Sequence, residues 1–280
     1  SSGNNDIFLA KYSNDGVLQW VRKFGGTGDN RGRALAVDDA GNCYFSGSFS
    51  NTVSFSGQNQ TSSGGNDIFV AKYNTSGNRV WVRKAGGNKD DRGRDITLDG
   101  AGNLYLTASY TLSANFSGTT LTDATGSKYS AALAKYNNSG SLLWVRSIGG
   151  CCDTTRAYGP SVDEFDNVYF TGYFKDQVKF GTTTLTGSGN TDAFIAKYSS
   201  SGNLLWAKKY GGTYEDFGNG SAVDQRRQLV YFTGMFDYRA DFDSINVYSA
   251  GNRDMWLAAV DYAGNIQWLK TGGGSGRDAG

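Results

Sequence analysis

A tryptophan that returns about every 62 residues constrains the fold of this chain more than any other feature. The recurring residues are Trp20, Trp81, Trp144, Trp206 and Trp268, at spacings of 61, 63, 62 and 62 residues. Each closes a stretch like residues 6–20, which reads Asp-Ile-Phe-Leu-Ala-Lys-Tyr-Ser-Asn-Asp-Gly-Val-Leu-Gln-Trp. Five of the six tryptophans therefore mark one position in a repeat. A fixed period of this length is typical of folds that stack copies of one supersecondary unit.

Each repeat contains four predicted strands. In the second copy they cover residues 95–98, 104–110, 131–136 and 142–146. The two short turns of this copy begin with Asp or Asn and carry glycine three positions on, which is a hairpin signal. Strand 1 has small side chains, which fit where sheets converge around an axis, and strand 4 has a basic residue, which can prevent pairing at an outer edge. Strand 1 inside and strand 4 outside is the order of a propeller blade.

The sequence therefore predicts an all-β fold, a β-propeller built from four-stranded blades of about 62 residues. The chain holds about 4.5 blades and is expected to be a segment of a larger ring, because it begins and ends within a repeat. The predicted divisions are a half blade (strands 3 and 4) at 1–26, blades at 27–87, 88–150, 151–212 and 213–274, and the start of another at 275–280. A five-bladed ring and a seven-bladed ring both remain open.

Composition excludes several classes of function. The chain has no histidine, so a serine triad in its usual form is excluded and no metal site is predicted. The net charge of +1 gives no general attraction to nucleic acid, and no run of about 18 apolar residues is present for membrane insertion. Cys43 aligns with apolar residues of the other repeats and is predicted to be buried, while Cys151 and Cys152 lie in a loop. We therefore predict no cofactor and no enzymatic activity.

The repeat pattern is similar to that of a bacterial protein family. Residues 192–198 read Asp-Ala-Phe-Ile-Ala-Lys-Tyr and precede Gly202 and Trp206, and residues 36–44 read Ala-Val-Asp-Asp-Ala-Gly-Asn-Cys-Tyr. With the Gly-Gly pair after each strand 4, this pattern resembles the seven-bladed β-propeller repeat (SBBP) family of bacterial surface and secreted proteins, over essentially the whole chain. The resemblance implies an extracellular or cell-surface location. It implies no common reaction, since the repeated residues are structural.

The loops from strand 4 of one repeat to strand 1 of the next hold the only recurrent charged cluster, which includes Arg33, Asp91, Arg94 and Glu215 besides the residues named below. In propellers these loops share a face with the connections between strands 2 and 3, and ligands usually bind there. We therefore predict a ligand-binding surface from charged and aromatic residues of these loops. They are Asp29, Arg31, Asp90, Arg92, Asp153, Arg156, Tyr158, Tyr214, Asp216 and Phe217. The alternative is that these charges only form salt bridges between neighbouring loops.

The connections between strands 2 and 3 span about fifteen residues, and long loops in compact domains are often functional. Phenylalanines at one constant position are predicted to be buried anchors, and they are Phe55, Phe116, Phe180 and Phe242. The variable stretches beyond them are predicted to join the recognition surface, and they are 58–62, 122–129, 186–191 and 248–253.

Two further repeated positions have both a structural and a functional interpretation. The aspartate that opens strand 3 is predicted to cap the loop backbone, with a metal ligand as the alternative. Its copies are Asp6, Asp67, Asp192 and Asp254. The lysine within strand 3 is predicted to occupy a solvated or edge position, with its aliphatic stem packed over a neighbour. Its copies are Lys11, Lys72, Lys135 and Lys197.

These features predict a non-catalytic extracellular binding or scaffold module that recognises a carbohydrate or a protein at the bacterial cell surface, as part of a larger assembly. Two alternatives remain open. One is a polysaccharide-active hydrolase or lyase, which would need two loop carboxylates within about 5–10 Å in one pocket. The other is a purely architectural subunit or spacer.

Overall fold

The computed structural model describes residues 3–123, 126, 128–149 and 154–278. Within them the chain forms strands in antiparallel sheets and no helix, as predicted from the sequence. This part of the chain therefore has no helix that could cross a membrane.

The strands group into five units that follow the sequence repeat. The first contributes β1 (Ile7–Tyr12) and β2 (Leu18–Gly26). The second contains β3 (Asn30–Val37), β4 (Cys43–Phe55), β5 (Gln58–Tyr73) and β6 (Arg79–Gly86). The third contains β7 (Arg92–Leu98), β8 (Leu104–Tyr110), β9 (Ser113–Phe116), β10 (Thr119–Thr122), β11 (Ser130–Tyr136) and β12 (Leu142–Gly149). The fourth contains β13 (Thr155–Val162), β14 (Val168–Phe174), β15 (Gln177–Phe180), β16 (Thr183–Thr186), β17 (Asp192–Tyr198) and β18 (Leu204–Tyr210). The fifth contains β19 (Asp216–Asp224), β20 (Leu229–Phe242), β21 (Ile245–Asp261) and β22 (Ile266–Gly272).

The four main strands of each complete unit lie side by side in chain order. The first strands of successive units, β3, β7, β13 and β19, contact one another, so they form the inner side of the array. We call them the inner strands, and we call β2, β6, β12, β18 and β22 the outer strands. This arrangement confirms the predicted strand order and a propeller-like fold. Among the described residues, β1 pairs only with β2, and the first and fifth units share no ladder.

Hydrophobic clusters between neighbouring units form the core. In one of them Ile68 of the second unit packs with Leu104 of the third. Burying a Leu-sized or Phe-sized side chain stabilises a fold by about 1.5–3 kcal/mol, so these interfaces hold the array together. Cys43 is a buried free thiol in a similar cluster, as predicted. Cys151 and Cys152 lie outside the described residues.

The connections between the second and third strands are regular hairpins. They are β9–β10, β15–β16, and the outer halves of β4–β5 and β20–β21. Each hairpin also bonds to the end of the preceding outer strand, as where Phe116 lies opposite Ala85. The predicted anchors Phe55, Phe116, Phe180 and Phe242 are all buried. The hairpins therefore join successive sheets.

Residues 248–253 were predicted to belong to a variable loop but lie in β21, and residues 124, 125 and 127 of the predicted stretch 122–129 lie outside the described residues. Residues 58–62 were likewise predicted to belong to a variable loop, and this is wrong because they lie in β5. The turn before them holds Ser56 and Gly57 at positive φ (48° and 86°), as a two-residue hairpin turn requires. Ser-Gly signals such a turn less clearly than Asn-Gly, which explains why the sequence did not predict it.

The repeated tryptophan fastens each unit to the next. Trp81 on β6 donates its indole N–H to the carbonyl oxygen of Asn138 in the third unit (2.9 Å), and Arg83 donates from Nε to that of Gly140 (2.8 Å). Gly140 has φ +77°, and a Cβ there would lie 2.7 Å from the Trp81 ring, so only glycine fits. The equivalent indole bonds are made by Trp20, Trp144 and Trp206. The outer-strand arginine was predicted to prevent edge pairing, whereas here it holds the turn of the next unit.

Candidate functional site

The units present two faces. The turn face carries the short turns between the first and second strands and between the third and fourth strands. The loop face carries the loops between successive units and the hairpins between the second and third strands. Cationic side chains lie over tyrosine rings on both faces, but the partners of these cations differ.

On the turn face, buried lysines are fully paired. The Nζ of Lys135 is 3.0 Å from a carboxylate oxygen of Asp99, 2.7 Å from the hydroxyl of Tyr105 and 4.6 Å from the centroid of that ring. The side chains of Lys135 and Asp99 are 5% and 0% exposed. The equivalent pairs are Lys72–Asp38 (3.7 Å) and Lys197–Asp163 (3.5 Å).

The sequence predicted a solvated or edge position for these lysines, and this is wrong for Lys72, Lys135 and Lys197. The reason lies in the next unit, whose turn covers the ammonium group. The carbonyl oxygen of Ser200 is 3.5 Å from Lys135, and that of Tyr262 is 3.2 Å from Lys197. A buried charge of this kind is tolerated only when it is paired, so the lysines of the turn face are structural.

On the loop face, aspartates at the start of the third strands close the loops. Asp67 accepts a hydrogen bond from the backbone N–H of Ser63 (3.0 Å). The corresponding bonds to Asp192 and Asp254 are both 2.8 Å. The predicted capping role is confirmed at these three positions.

A second set of buried aspartates lies at the start of the inner strands. Asp91 and Asp216 accept hydrogen bonds from the backbone N–H groups of Gly87 (2.6 Å) and Gly212 (2.7 Å). Burial raises the pKa of each to about 7, although these N–H groups oppose the shift, and the nearby carboxylate of Asp67 raises that of Asp91 further. Asp216 was predicted to belong to a ligand-binding surface. It is fully buried, and its carboxylate holds the loop instead.

Two predicted acid–base pairs are present at the surface of the loop face. Arg31 lies 2.9 Å from Asp29, and Arg92 lies 3.7 Å from Asp90. Both pairs form within one loop, so these four residues do not make the salt bridges between neighbouring loops that the sequence left open. Asp90 instead reaches the preceding unit by accepting a hydrogen bond from the side-chain amide of Asn66 (2.9 Å).

The remaining predicted residues that the structure describes are partly or well exposed. Tyr214 is 49% exposed, and its ring centroid is 4.6 Å from that of Tyr238. Arg156, Tyr158 and Phe217 belong to a larger arrangement that is described next. Asp153 lies outside the described residues.

Three arginines of the inner strands have no carboxylate partner. Within the described ranges, no carboxylate oxygen lies at salt-bridge distance from Arg33, Arg94 or Arg156. Nη2 of Arg94 and Nε of Arg156 are buried and have no hydrogen-bond acceptor there, although Nε of Arg94 donates to Ser109 (3.0 Å). Burial lowers the pKa of Arg94, and the positive charges of Arg156, Arg33 and Arg92 lower it further.

Tyrosine rings connect these arginines. The guanidinium of Arg94 lies 5.7 Å from the ring centroid of Tyr158, which stacks on Tyr173 at 6.2 Å. The guanidinium of Arg156 lies 5.9 Å from Tyr173 and 5.2 Å from Tyr129. Cation–π contacts of this kind orient a guanidinium without neutralising it.

The arrangement continues into the fifth unit, where it ends on a paired arginine. Phe217 packs edge-on against Tyr173 (4.8 Å between centroids), and the guanidinium of Arg253 lies 4.9 Å from Phe217. Arg253 donates to Asp237 (2.5 Å) and Glu215 (2.7 Å). We call the whole set the arginine–aromatic row, and it comprises Arg94, Tyr158, Tyr173, Arg156, Tyr129, Phe217 and Arg253.

Interruptions in the pairing between each inner strand and its neighbouring strand set the direction of Arg33, Arg94 and Tyr158. The ladder between each inner strand and its neighbour skips Arg33 in β3 and Arg94 in β7, and in β13 it breaks after Tyr158. Bulges of this kind change the direction of a side chain and are common near functional sites. Sequence reasoning included Arg33 and Arg94 in the recurrent charged cluster of these loops without selecting them as ligand-binding residues, and it did not consider Tyr173. The available signal was that Arg33, Arg94 and Tyr158 occupy the same position of the repeat.

A groove of about 740 Å³ lies elsewhere, between β1 and β3, and Phe8, Arg31 and Arg33 are among its lining residues. It follows the edge of β1 that has no neighbouring strand in the described chain, so strand spacing alone explains it. No cluster of three or more Asp, Glu, Cys or His side chains that could hold a metal ion occurs among the described residues.

Comparison with known proteins gives partial similarities. No protein-family profile matches this chain. An uncharacterized WD repeat-containing protein of Acanthamoeba polyphaga mimivirus is 25% identical over 251 residues, which cover 76% of this chain and 18% of that protein. Regulatory protein FlaEY of Caulobacter vibrioides is 30% identical over 108 residues, which cover 37% of this chain and 11% of that protein. The chain thus spans less than a fifth of the length of these curated relatives.

Among solved structures, a protein of unknown function from Bacteroides caccae is 9% identical, and the match covers 95% of this chain and 93% of that protein. Its TM-score of 0.40 is too low to support an argument. The similarity to a WD repeat-containing protein agrees with the repeat architecture and the propeller-like fold. These comparisons do not show membership of the SBBP family.

Proposed function

We propose that this chain is a non-catalytic binding module that recognises a carbohydrate on its loop face, within an extracellular or cell-surface bacterial protein built from SBBP-type repeats. The observation that carries this proposal is the arginine–aromatic row. It offers partly exposed tyrosine rings and half-buried arginines without a carboxylate partner among the described residues, on strands that the neighbouring units hold in place.

The division between constant and variable positions supports the proposal. The turn face repeats its Lys–Asp–Tyr contacts from unit to unit, which is expected of a frame. On the loop face, equivalent positions of the inner strands differ, with Arg31 and Arg92 giving way to Phe217 in the fifth unit. A rigid frame with variable loops is a common way to build recognition sites. Tyrosine rings beside hydrogen-bond donors suit a sugar, which has both apolar C–H faces and hydroxyl groups.

The proposal is tested by screening the chain against an array of oligosaccharides and then following the length of each bound oligosaccharide over time. We expect binding without any shortening. Tyr158→Ala should weaken binding at least tenfold, while Tyr12→Ala should not change it, because Tyr12 is 59% exposed on β1 and lies outside the row. Both variants should keep the melting temperature of the parent chain within a few degrees.

Three results would contradict the proposal. Shortening of the oligosaccharide would indicate a hydrolase or a lyase. Binding that is lost with Tyr12→Ala and kept with Tyr158→Ala would move the site away from the row. An array without any bound sugar would reject carbohydrate recognition.

A further inference from the structure

Two arginines of the loop face are built into the fold in a way that leaves donors without acceptors. Nη2 of Arg94 and Nε of Arg156 are buried, and no hydrogen-bond acceptor reaches them from the described residues. Buried polar groups in folded proteins are nearly always paired, and each exception calls for an explanation. Arg253, in the same row, has two carboxylate partners. The row therefore contains a paired arginine and two arginines whose pairing is incomplete.

The surroundings of Arg94 are positive. Arg33 and Arg92 lie close enough to Arg94 to repel its charge, as does Arg156. Arg92 has its own partner in Asp90 (3.7 Å), whereas no described carboxylate lies at salt-bridge distance from Arg33, Arg94 or Arg156. An anion bound at the partly exposed side of these guanidinium groups would relieve the repulsion and accept from their remaining N–H groups.

The orientation of the guanidinium groups selects the kind of anion. Arg94 lies over the Tyr158 ring, and Arg156 lies over the rings of Tyr129 and Tyr173. A guanidinium that packs on a ring keeps N–H groups along its edges, in the geometry that binds the two oxygens of a carboxylate. A phosphate ion has no apolar face that could pack on an aromatic ring. A sugar acid, by contrast, places its carboxylate beside a sugar ring whose C–H face packs on tyrosine.

We propose that Arg94 and Arg156 bind the carboxylates of an acidic oligosaccharide that contains uronic acids. This inference rests on the proposed carbohydrate-binding function and specifies its ligand class. Arg33 contributes positive charge at the edge of the site, and Tyr158 and Tyr173 form the platform between the two arginines. Arg253 is already paired and does not bind the ligand.

The test is calorimetric titration of the chain with tetragalacturonate and with an uncharged galactose tetrasaccharide. We expect tetragalacturonate to bind and the neutral sugar to bind at least tenfold more weakly. The affinity for tetragalacturonate should fall as sodium chloride is raised, because the contacts are ionic. This salt dependence needs no variant and so does not depend on a substitution being tolerated.

Two variants and a control locate the site. Arg94→Gln and Arg156→Gln should each lower the affinity for tetragalacturonate at least tenfold. Arg227→Gln should not change it, since Arg227 is a 71% exposed arginine on the turn face that pairs with Asp224. Unchanged affinity in both row variants would overturn the inference.

Further probes separate this inference from the proposed function. Equal binding of the neutral and acidic sugars would reject the acidic specificity and leave carbohydrate recognition standing. Hexaglutamate that binds more tightly than either sugar would reject both and indicate an acidic protein partner. Inorganic phosphate that binds more tightly than tetragalacturonate would reject the carboxylate assignment.

Discussion

The turn face and the loop face both place a cationic side chain over a tyrosine ring. Among the described residues, the turn-face lysine has a carboxylate partner and the loop-face arginine has none. On the turn face, Lys135 lies 4.6 Å from a tyrosine centroid and reaches a carboxylate at 3.0 Å. On the loop face, Arg94 lies 5.7 Å from a tyrosine centroid and has no carboxylate partner among the described residues. A cation over an aromatic ring therefore does not by itself indicate a binding site. The distinguishing feature is whether the charge is already satisfied by the fold.

The difference follows from what covers each face. Each turn-face lysine of the second to fourth units donates a hydrogen bond to the turn of the following unit, so its position is part of an interface. The loop-face arginines lie on inner strands whose pairing is interrupted, and the side-chain hydrogen bond described for Arg94 goes to Ser109 of its own unit. Substitutions on the two faces should therefore have different consequences, and four predictions test this.

The largest effect is expected from Lys135→Met. The substitution leaves the buried carboxylate of Asp99 without its cation, which costs about 3–5 kcal/mol in the free energy of unfolding. Lys11→Met is the control, because Lys11 is partly exposed and bonds only to the carbonyl oxygen of Thr75 (3.4 Å) in the described structure; it should cost less than about 1 kcal/mol. Urea denaturation of both variants measures the difference. Equal losses would show that the buried ion pair does not stabilise the turn face.

A somewhat smaller effect is expected from Gly140→Ala. Gly140 has φ +77°, a conformation that costs other residues about 1–3 kcal/mol, and the new Cβ would lie 2.7 Å from the Trp81 ring. Gly100→Ala is the control, since a Cβ at Gly100 meets nothing within 4 Å; it should stay within about 0.5 kcal/mol of the parent chain. Thermal unfolding followed by circular dichroism compares the two. A Gly140→Ala variant as stable as the parent chain would mean that the Trp81 contact does not restrict this position.

The buried aspartates of the loop face predict that stability depends on pH. The pKa of Asp91 and of Asp216 is raised by burial to about 7 in the folded state, from an ordinary value of 3.8. Between these values the folded chain binds more protons than the unfolded chain. The stabilisation that these two raised pKa values contribute is therefore complete below pH of about 4 and is lost as the pH rises to about 7.

Each of these groups contributes at most about 1.4 kcal/mol per pH unit in that window. Asp91→Asn should remove one such contribution, so the free energy of unfolding should fall less steeply between pH 5 and pH 7 than in the parent chain. Urea denaturation at several pH values gives both slopes. Identical slopes would show that Asp91 is not protonated in the folded protein.

The smallest effect on stability is expected from Arg156→Gln. Its guanidinium has no carboxylate partner in the described chain and packs on the rings of Tyr129 and Tyr173, so its loss should lower the free energy of unfolding by about 1 kcal/mol or less. Urea denaturation of Arg156→Gln and Lys135→Met under the same conditions compares their free energies of unfolding. A loss of stability as large as that of Lys135→Met would show that Arg156 has a structural role. The turn-face lysines and the loop-face arginines would then not differ in their effect on stability.

Much of the fold could be predicted from the sequence because the repeat presents each structural feature several times. Strand order, the buried phenylalanines and the capping aspartates follow from side-chain size, alternation and turn chemistry within one copy. Burial of Lys135 could not be predicted in this way, because the covering group, the carbonyl of Ser200, belongs to the next unit and is 65 residues away in the chain.

The candidate site could be predicted only in part. The charged loops identified Arg156, Tyr158 and Phe217 as candidates, and the structure brings these three into one row. Arg94 was among the recurrent loop charges, but the direction of its side chain toward Tyr158 of the next unit could not be predicted. The bulge that redirects it is a matter of backbone register, which composition and spacing do not reveal.

The most direct test of the contrast between the two faces is a crystal structure of the chain with tetragalacturonate bound. We predict a carboxylate oxygen of the ligand within about 3 Å of a guanidinium nitrogen of Arg94 or Arg156, with a sugar ring packed on Tyr158 or Tyr173. The turn-face lysines should keep their aspartate partners unchanged. Ligand bound on the turn face, or bound on the loop face away from both arginines, would contradict this interpretation.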